Sequence, residues 1–254
     1  PYTTLFRSVI YAELRFAPQL HTQKGLTQEE ALLAVLDGTK EASIPCNLIL
    51  CLMRGEGNEK ENEETLELAH RYLVLDHGVV ALDLAGAEAL YPTKNYEDLF
   101  KKAYHYHIPF TIHAGEADDE SSVKDALSFG AKRIGHGIRI TPDSPLLKEI
   151  KDKHICLEMC PTSNRQTKAV SDMTNYPLSY YLSLGLCVTI NTDDMAIEGT
   201  TLANEFDYIE KQYHVSYEQE FQIIKNAITS AFCSHYTKEK LLKILQTEIS
   251  IISR

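Results

Sequence analysis

The sequence has no tryptophan, and it is short of positive charge for its length of 254 residues. Lysine and arginine number 25 against 36 aspartate and glutamate residues, which gives a formal net charge of −11 at pH 7. This acidic balance argues against nucleic acid or a membrane surface as a partner, because both carry negative charge. No apolar run is long enough to span a bilayer, so no transmembrane helix is expected.

The six cysteines are scattered and never form the Cys-x-x-Cys spacing of many metal and redox sites. Most of them lie within apolar runs, which favours reduced thiols buried in a core. Because disulfides are rare in reducing compartments, this usage predicts a cytoplasmic location.

What the sequence does have is an alternation of apolar strands and amphipathic helices, repeated seven times. Strands that are apolar throughout are typical of a parallel sheet covered on both faces. With 44% hydrophobic residues and no Gly/Ser linker, the chain favours one TIM-type (β/α) barrel over an open sheet or two domains. Strands are predicted over residues 9–16, 47–53, 79–86, 108–112, 132–134, 154–159 and 186–191.

Two helix starts carry the residue pattern of a capping box, in which side chains at both ends of the first turn satisfy free backbone N–H groups. Thr27 with Glu30 predicts a helix that runs to about residue 41. Ser216 with Gln219 predicts another in the helical carboxyl-terminal part of the chain.

A complete barrel of this type has eight strands, so we expect one strand, the first, to be missing. The first eight residues, PYTTLFRS, can be read back into codons as the end of a common sequencing adapter. We therefore expect residues 1–8 to be a non-native leader and residues 9–254 to be an incomplete barrel domain. In such a barrel the strands over residues 9–16 and 186–191 would each expose an unpaired edge, which favours aggregation.

Polar or glycine-rich residues follow five consecutive predicted strands. The candidate functional side chains among them are His113 and Glu116 in TIHAGE, His136 in GHG, and Asp193 and Asp194 in NTDD. Because the carboxyl ends of parallel barrel strands meet at one rim, we expect these imidazoles and carboxylates to converge. Buried groups of this kind need partners or a metal.

Histidine and aspartate ligands with one open position suit Zn²⁺ as a Lewis acid. Bound zinc lowers the pKa of its water to about 7 and so supplies hydroxide near neutral pH. Glu116 lies close to such a site without being needed as a ligand, so it could carry a proton. His136 could orient or deprotonate the water.

Four motifs, TIHAGE, RIGHGIR, CPTSN and VTINTDDM, occur in an order and spacing that resemble the adenosine deaminase family of zinc amidohydrolase barrels. VIYAELRFAP and DLAG are similar to the family's earlier strands, so the resemblance covers essentially residues 9–254. It implies a TIM-type (β/α)8 barrel of the metallo-dependent hydrolase kind. It also implies a small-molecule purine nucleoside substrate, with adenosine and deoxyadenosine hydrolysed at C6 and ammonia released.

The resemblance implies a role for each matching residue. His113 and Asp193 would be zinc ligands, with one ion per chain. Glu116 would donate a proton to the purine N1, and His136 would assist the attacking water. The Gly86 backbone would contact N3, and Asp194 would contact N7.

One departure from the family concerns the two other zinc ligands, an HxH pair at the end of the first strand that Leu-Asp-Gly follows. No such sequence precedes Val9. The HxH of His105-Tyr106-His107 precedes the strand of His113 and is expected about 20 Å away, near the opposite rim. The chain by itself is therefore expected to hold zinc weakly and, expressed alone, to be poorly soluble or metal-poor, which leaves its own activity open.

Alternatives stay open at this point. They are an adenine or AMP deaminase, a barrel that has lost catalysis and serves as a binding protein, and a metallohydrolase with another substrate. AMP would need a phosphate clamp, for which Arg139 and Arg165 are available but not decisive. The His-x-Glu and Pro-Cys-x-x-Cys sequences of the cytidine-deaminase type of zinc site do not occur. Arg15, on an inner strand, either pairs with a buried carboxylate or acts beneath the site.

Overall fold

The computed structural model describes residues 9–252, with side chains over residues 9–248, so the predicted leader lies outside the described residues. The strands are β1 (Ala12–Phe16), β2 (Cys46–Met53), β3 (Val79–Ala85), β4 (Thr111–Ala114), β5 (Arg133–His136), β6 (Cys156–Met159) and β7 (Cys187–Ile190). The α-helices are α1 (Gln28–Lys40), α2 (Glu59–Arg71), α3 (Glu97–His105), α4 (Glu120–Phe129), α5 (Pro145–Asp152), α6 (Pro161–Gln166), α7 (Leu178–Ser183), α8 (Met195–Glu198), α9 (Leu202–Tyr213), α10 (Tyr217–Ser230) and α11 (His235–Ile252).

All the strands run parallel and follow one another in chain order. Ladders join β1, β2 and β3 into one group and β4 through β7 into another. A parallel bridge between Leu82 and Phe110 links the two groups, and the Leu82 N–H donates to the Pro109 carbonyl at 3.0 Å. At least one helix lies between each strand and the next along the chain, which confirms the predicted barrel class.

Two ion pairs between distant strands demonstrate that the sheet is curled. Arg15 on β1 reaches Glu158 on β6 at 2.5 Å, and Arg133 on β5 reaches Glu13 on β1 at 2.6 Å. In a flat sheet β1 and β6 would lie about 24 Å apart, at roughly 4.8 Å per strand. The strands therefore wrap around a shared interior, and these charges occupy it.

The barrel wall is open between its first and last strands. Within residues 9–252, β1 pairs only with β2 and β7 only with β6. Leu14 of β1 is 46% exposed, although its neighbours on β2 are fully buried. These are the two strands predicted to have free edges, while the absence of a first strand stays a prediction.

The strand predicted over residues 108–112 is shifted in the structure, where β4 covers Thr111–Ala114. Pro109 has no N–H to donate to a ladder, so regular pairing begins after it. His113 consequently lies on the strand and not beyond it. The first strand is likewise shorter than predicted, because β1 begins at Ala12 instead of Val9.

Both predicted capping boxes are present. Thr27 and Glu30 bond each other's backbone N–H groups at the start of α1, and Ser216 and Gln219 do so at the start of α10. The CPTSN sequence, which follows the strand predicted over residues 154–159, opens helix α6 with Pro161 in its first turn, where a missing N–H costs nothing.

The state of the cysteines and the polarity of the helices agree with what the sequence predicts. All six cysteines are free thiols, four of them buried and two half-buried, as predicted. Among the described helices, none is both long enough and apolar enough to cross a bilayer. A cytoplasmic location stays a prediction.

Arg15 has the first of its two expected roles, because it forms ion pairs with buried carboxylates. It bonds Asp83 at 3.1 Å as well as Glu158, whose other oxygen lies 2.7 Å from the Arg133 Nε. Thr111 also donates to Glu158, at 2.8 Å. Burial raises the pKa of the Glu158 carboxyl, but the two guanidinium groups outweigh burial and hold that pKa below its usual value.

We expect Glu158→Gln to lower the free energy of unfolding by about 1–3 kcal/mol at pH 7, because the partly buried Arg15 and the buried Arg133 each lose one of two carboxylate partners. The folded-state pKa of Glu158 is lowered, so its contribution is complete above the unfolded pKa of about 4.3 and disappears as pH falls through the folded value. Urea unfolding of both proteins from pH 7 to pH 3 measures this difference. Glu149→Gln, which removes a surface pair with Lys153, is the control. A difference that does not shrink in acid would contradict the assignment.

Candidate active site

Three strand ends bring His113, His136 and Asp193 together at the carboxyl rim of the barrel. His113 lies on β4, His136 is the last residue of β5, and Asp193 follows β7 by three residues. One ligand atom from each lies within 4.8 Å of the others, and the two imidazole rings are 5.1 Å apart. The group could therefore hold one metal ion between three strands.

Asp83 orients the His113 ring through a contact with its Nδ1 atom. Its carboxylate is fully buried at the end of β3 and lies 2.9 Å from His113 Nδ1. The other ring nitrogen, Nε2, is then the one available to a metal. Burial by itself lowers the pKa of His113, but the Asp83 charge outweighs it and raises that pKa, which makes the imidazole a better base.

Asn164 on α6 connects two of the predicted catalytic residues. Its Nδ2 lies 3.1 Å from Glu116 Oε1 and 3.0 Å from His136 Nδ1, and Tyr176 donates to its Oδ1 at 3.2 Å. An amide donor at Nδ1 makes that nitrogen the acceptor, so the ring proton of His136 lies on Nε2. Nε2 faces Glu116 Oε2 at 3.5 Å and Asp193 Oδ2 at 3.7 Å. Burial lowers the pKa of His136, so the ring is neutral near pH 7.

The two aspartates of NTDD point to different partners. Asp193 has a φ of 56° and accepts a hydrogen bond from Ser163 at 2.8 Å, which directs its carboxylate toward the rim cluster. The exposed Asp194 carboxylate accepts from the N–H groups of Ala196 and Ile197, each at 3.1 Å, and caps α8. The substrate contact implied for Asp194 stays a prediction.

Gly86 makes a turn beside a buried arginine. Its φ is +104°, and a Cβ there would lie 3.3 Å from atoms of Arg54. Arg54 in turn donates to the Tyr91 carbonyl at 2.7 Å and to the His113 carbonyl at 2.7 Å. One guanidinium group therefore connects Tyr91, in the segment that follows β3, to His113 on β4.

The HxH sequence is not part of the rim cluster. His105 ends α3, His107 takes up a left-handed turn with φ 57°, and both are exposed. The Tyr106 ring between them stacks on His70 at 4.0 Å. Among the described side chains, the metal-capable group of His, Cys, Asp or Glu is the one at the rim.

Sequence reasoning missed several residues that hold the site together, namely Arg54, Asp83 and Asn164. The available signal was strongest for Asp83, the one charged residue in the apolar run VVALDLA. Asn164 lies inside a recognised motif, but no role was predicted for it.

The fold and the rim cluster define the class of protein. An adenine deaminase from Arthrobacter aurescens superposes with a TM-score of 0.86 at 26% identity, over 97% of this chain and 76% of that chain. An N6-methyl-AMP deaminase from Arabidopsis thaliana superposes with a TM-score of 0.84 at 25% identity, over 97% of this chain and 77% of that chain. The protein is a TIM-type barrel with the fold of these two deaminases.

Sequence comparison identifies the family within that class. The family model for adenosine deaminase matches residues 4–248. An adenosine deaminase from Haemophilus ducreyi is 45% identical over 244 residues, which cover 94% of this chain and 71% of the relative. The chain belongs to the adenosine deaminase family, which confirms the resemblance inferred from the four motifs.

Proposed function

We propose that the rim of this barrel is the active site of a hydrolytic deaminase that converts adenosine and deoxyadenosine to the corresponding inosine nucleosides and ammonia. The observation that carries the proposal is the convergence of a carboxylate, an imidazole and a metal-capable group. Glu116 and Asp193 both approach the same nitrogen of His136. The adenosine deaminase from Haemophilus ducreyi, at 45% identity, supports the choice of substrate.

We infer that the metal is zinc. Imidazole nitrogen and carboxylate oxygen are donors that zinc accepts, and metal-bound histidines usually give their second nitrogen to a carboxylate, as His113 gives its own to Asp83. Bound zinc would act as a Lewis acid and lower the pKa of its water to about 7. With the proton of His136 on Nε2, the ligands offered by the described residues are His113 and Asp193. The two further ligands that the resemblance implies have no counterpart among residues 9–248 and stay a prediction.

Glu116 and His136 have different roles in the proposed reaction. Glu116 is held at Oε1 by Asn164 and gives the proton on its carboxyl group to N1 of the purine. Protonation of N1 prevents negative charge from accumulating on the ring while oxygen adds to C6 and ammonia leaves. His136 donates from Nε2 and so orients the attacking water, which favours orientation over deprotonation.

The two arginines considered for a phosphate clamp are engaged elsewhere. Arg139 donates from Nη2 to the Ala169 carbonyl at 2.9 Å and from Nε to the Glu116 carbonyl. The Arg165 guanidinium lies 5.2 Å from the centre of the Tyr208 ring. A phosphate would have to displace these contacts, which favours a nucleoside over AMP.

A direct assay tests the proposal. We expect the zinc-supplemented protein to release ammonia from adenosine at least about tenfold faster than from AMP or adenine at equal concentration, a factor within reach of pocket discrimination. Faster release from AMP or adenine would reassign the substrate. Adenosine binding without ammonia release would favour a barrel that has lost catalysis and kept its ligand.

A further inference from the structure

Glu88 is a buried carboxylate that takes no part in the proposed proton transfer or in metal binding. It follows β3 by three residues and is 4% exposed. Its two oxygens accept five hydrogen bonds from one segment of chain. The donors are the N–H groups of Gly115 (2.6 Å), Glu116 (3.0 Å), Ala117 (2.7 Å) and Asp118 (3.1 Å), and the hydroxyl of Ser122 (2.5 Å).

Four successive N–H groups pointing at one place form an anion-binding concavity of the kind that holds phosphate in other proteins. Here the occupant is part of the protein itself. The loop can turn this way because Gly115 has a φ of +69°, a conformation that residues with a Cβ rarely adopt. Glu88 therefore sets the path of the backbone over residues 115–118, and Glu116 is the second residue of that path.

A chain of polar contacts supports Glu88 from behind. Ser122 Oγ lies 2.7 Å from Thr93 Oγ1, which accepts from Arg54 at 2.9 Å. The same Arg54 nitrogen bonds the His113 carbonyl. Burial raises the pKa of Glu88, but the hydroxyl and N–H donors outweigh burial and lower it, so the carboxylate is charged near neutral pH.

We propose that Glu88 is a positioning residue for Glu116. By holding the four N–H groups of residues 115–118, it keeps the Glu116 carboxyl against Asn164 and His136. The inference rests on the proposed function, because that function assigns proton transfer to Glu116. Misplacing a reacting group by about 1 Å costs about 100-fold in rate, so a loosened loop has a measurable effect.

The first test is Glu88→Gln. The amide retains one accepting oxygen and turns an N–H donor toward N–H donors, so part of the loop loses its partner. We expect kcat/KM for adenosine to fall by about 10- to 100-fold. We also expect the amides of the peptide over residues 112–123 to exchange hydrogen faster. Glu120→Gln is the matched control, because its carboxylate accepts one backbone N–H, from Thr141, and lies outside the site.

A double-mutant cycle separates positioning from general destabilisation. If Glu88 acts through Glu116, adding Glu88→Gln to Glu116→Gln lowers kcat/KM by less than about threefold further, because the group it positions is already gone. If the two factors multiply, Glu88 contributes only to the stability of the fold, and the proposal is overturned.

Hydrogen exchange keeps the inference independent of catalysis. A wild-type protein with no turnover would remove the proposed function, yet faster exchange over residues 112–123 in Glu88→Gln would still support the clamp on the Glu116 loop. Ser122→Ala leaves the charge in place and removes one of its five bonds, so it serves if Glu88→Gln fails to fold, with a smaller effect in the same direction. Exchange rates equal to wild type in the folded variants would overturn the proposal.

Discussion

Replacing Glu116 with glutamine is expected to lower kcat/KM for adenosine by about 10²- to 10⁴-fold, the usual contribution of a general acid. Glutamine has nearly the same shape, and its amide oxygen can still accept from Asn164. It cannot give a proton to N1, so the loss falls on kcat, while KM changes little because the transfer occurs in the transition state. Steady-state ammonia release measures both constants.

The control for this experiment is Glu120→Gln, which changes the first residue of α4, directly after the same loop and outside the rim cluster. The free energy of unfolding of both variants, measured by urea unfolding, is expected to lie within about 0.5 kcal/mol of the wild-type value, since neither creates a cavity. Near-normal turnover by Glu116→Gln would move the proton-donor role to another residue.

The second large effect is expected for Asp83→Asn. Asp83 is fully buried and accepts from Arg15 at 3.1 Å while it lies 2.9 Å from His113. An uncharged amide leaves Arg15 with Glu158 as its remaining carboxylate partner, which is expected to cost about 1–3 kcal/mol in the free energy of unfolding. It also replaces the charged partner of the His113 ring with a neutral amide, and the loss of such a carboxylate lowers metal affinity by about 10- to 100-fold.

Urea unfolding of the metal-free proteins and zinc competition against a coloured chelator measure these two losses separately. Asp98→Asn is the matched control, because the Asp98 side chain is 99% exposed on α3. Unchanged zinc affinity together with reduced stability would limit Asp83 to its ion pair with Arg15 and remove it from the metal site.

The class of fold could be predicted because it depends on patterns that lie next to each other in the chain. Continuous apolar strands indicate a sheet covered on both faces, and β2 is buried along almost its whole length. The capping boxes at Thr27 and Ser216 are equally local, since each is complete within four residues.

The errors arose where one residue overrides a pattern. Pro109 interrupts an apolar run that otherwise reads as strand, and regular pairing begins only at Thr111. Asp194 caps a four-residue helix that the sequence did not predict, while the substrate contact that the resemblance implies for it stays a prediction.

The supporting residues of the site escaped prediction because their partners are distant along the chain. Asp83 meets His113 at a separation of 30 residues, and Asn164 meets Glu116 at a separation of 48. Glu88 binds mainly backbone N–H groups, which every residue except proline has, so no side-chain pattern could indicate its partners.

The interior ion pairs also bear on how the chain reaches its native state. Glu13 and Arg133 are 120 residues apart, and their ion pair forms only when both groups of strands have formed and come together. Contacts of such long range form slowly, because the loop between them must close first. An isolated group of β1 to β3 would leave the Glu13 charge without this partner, so we expect the two groups of strands to fold in a single cooperative transition.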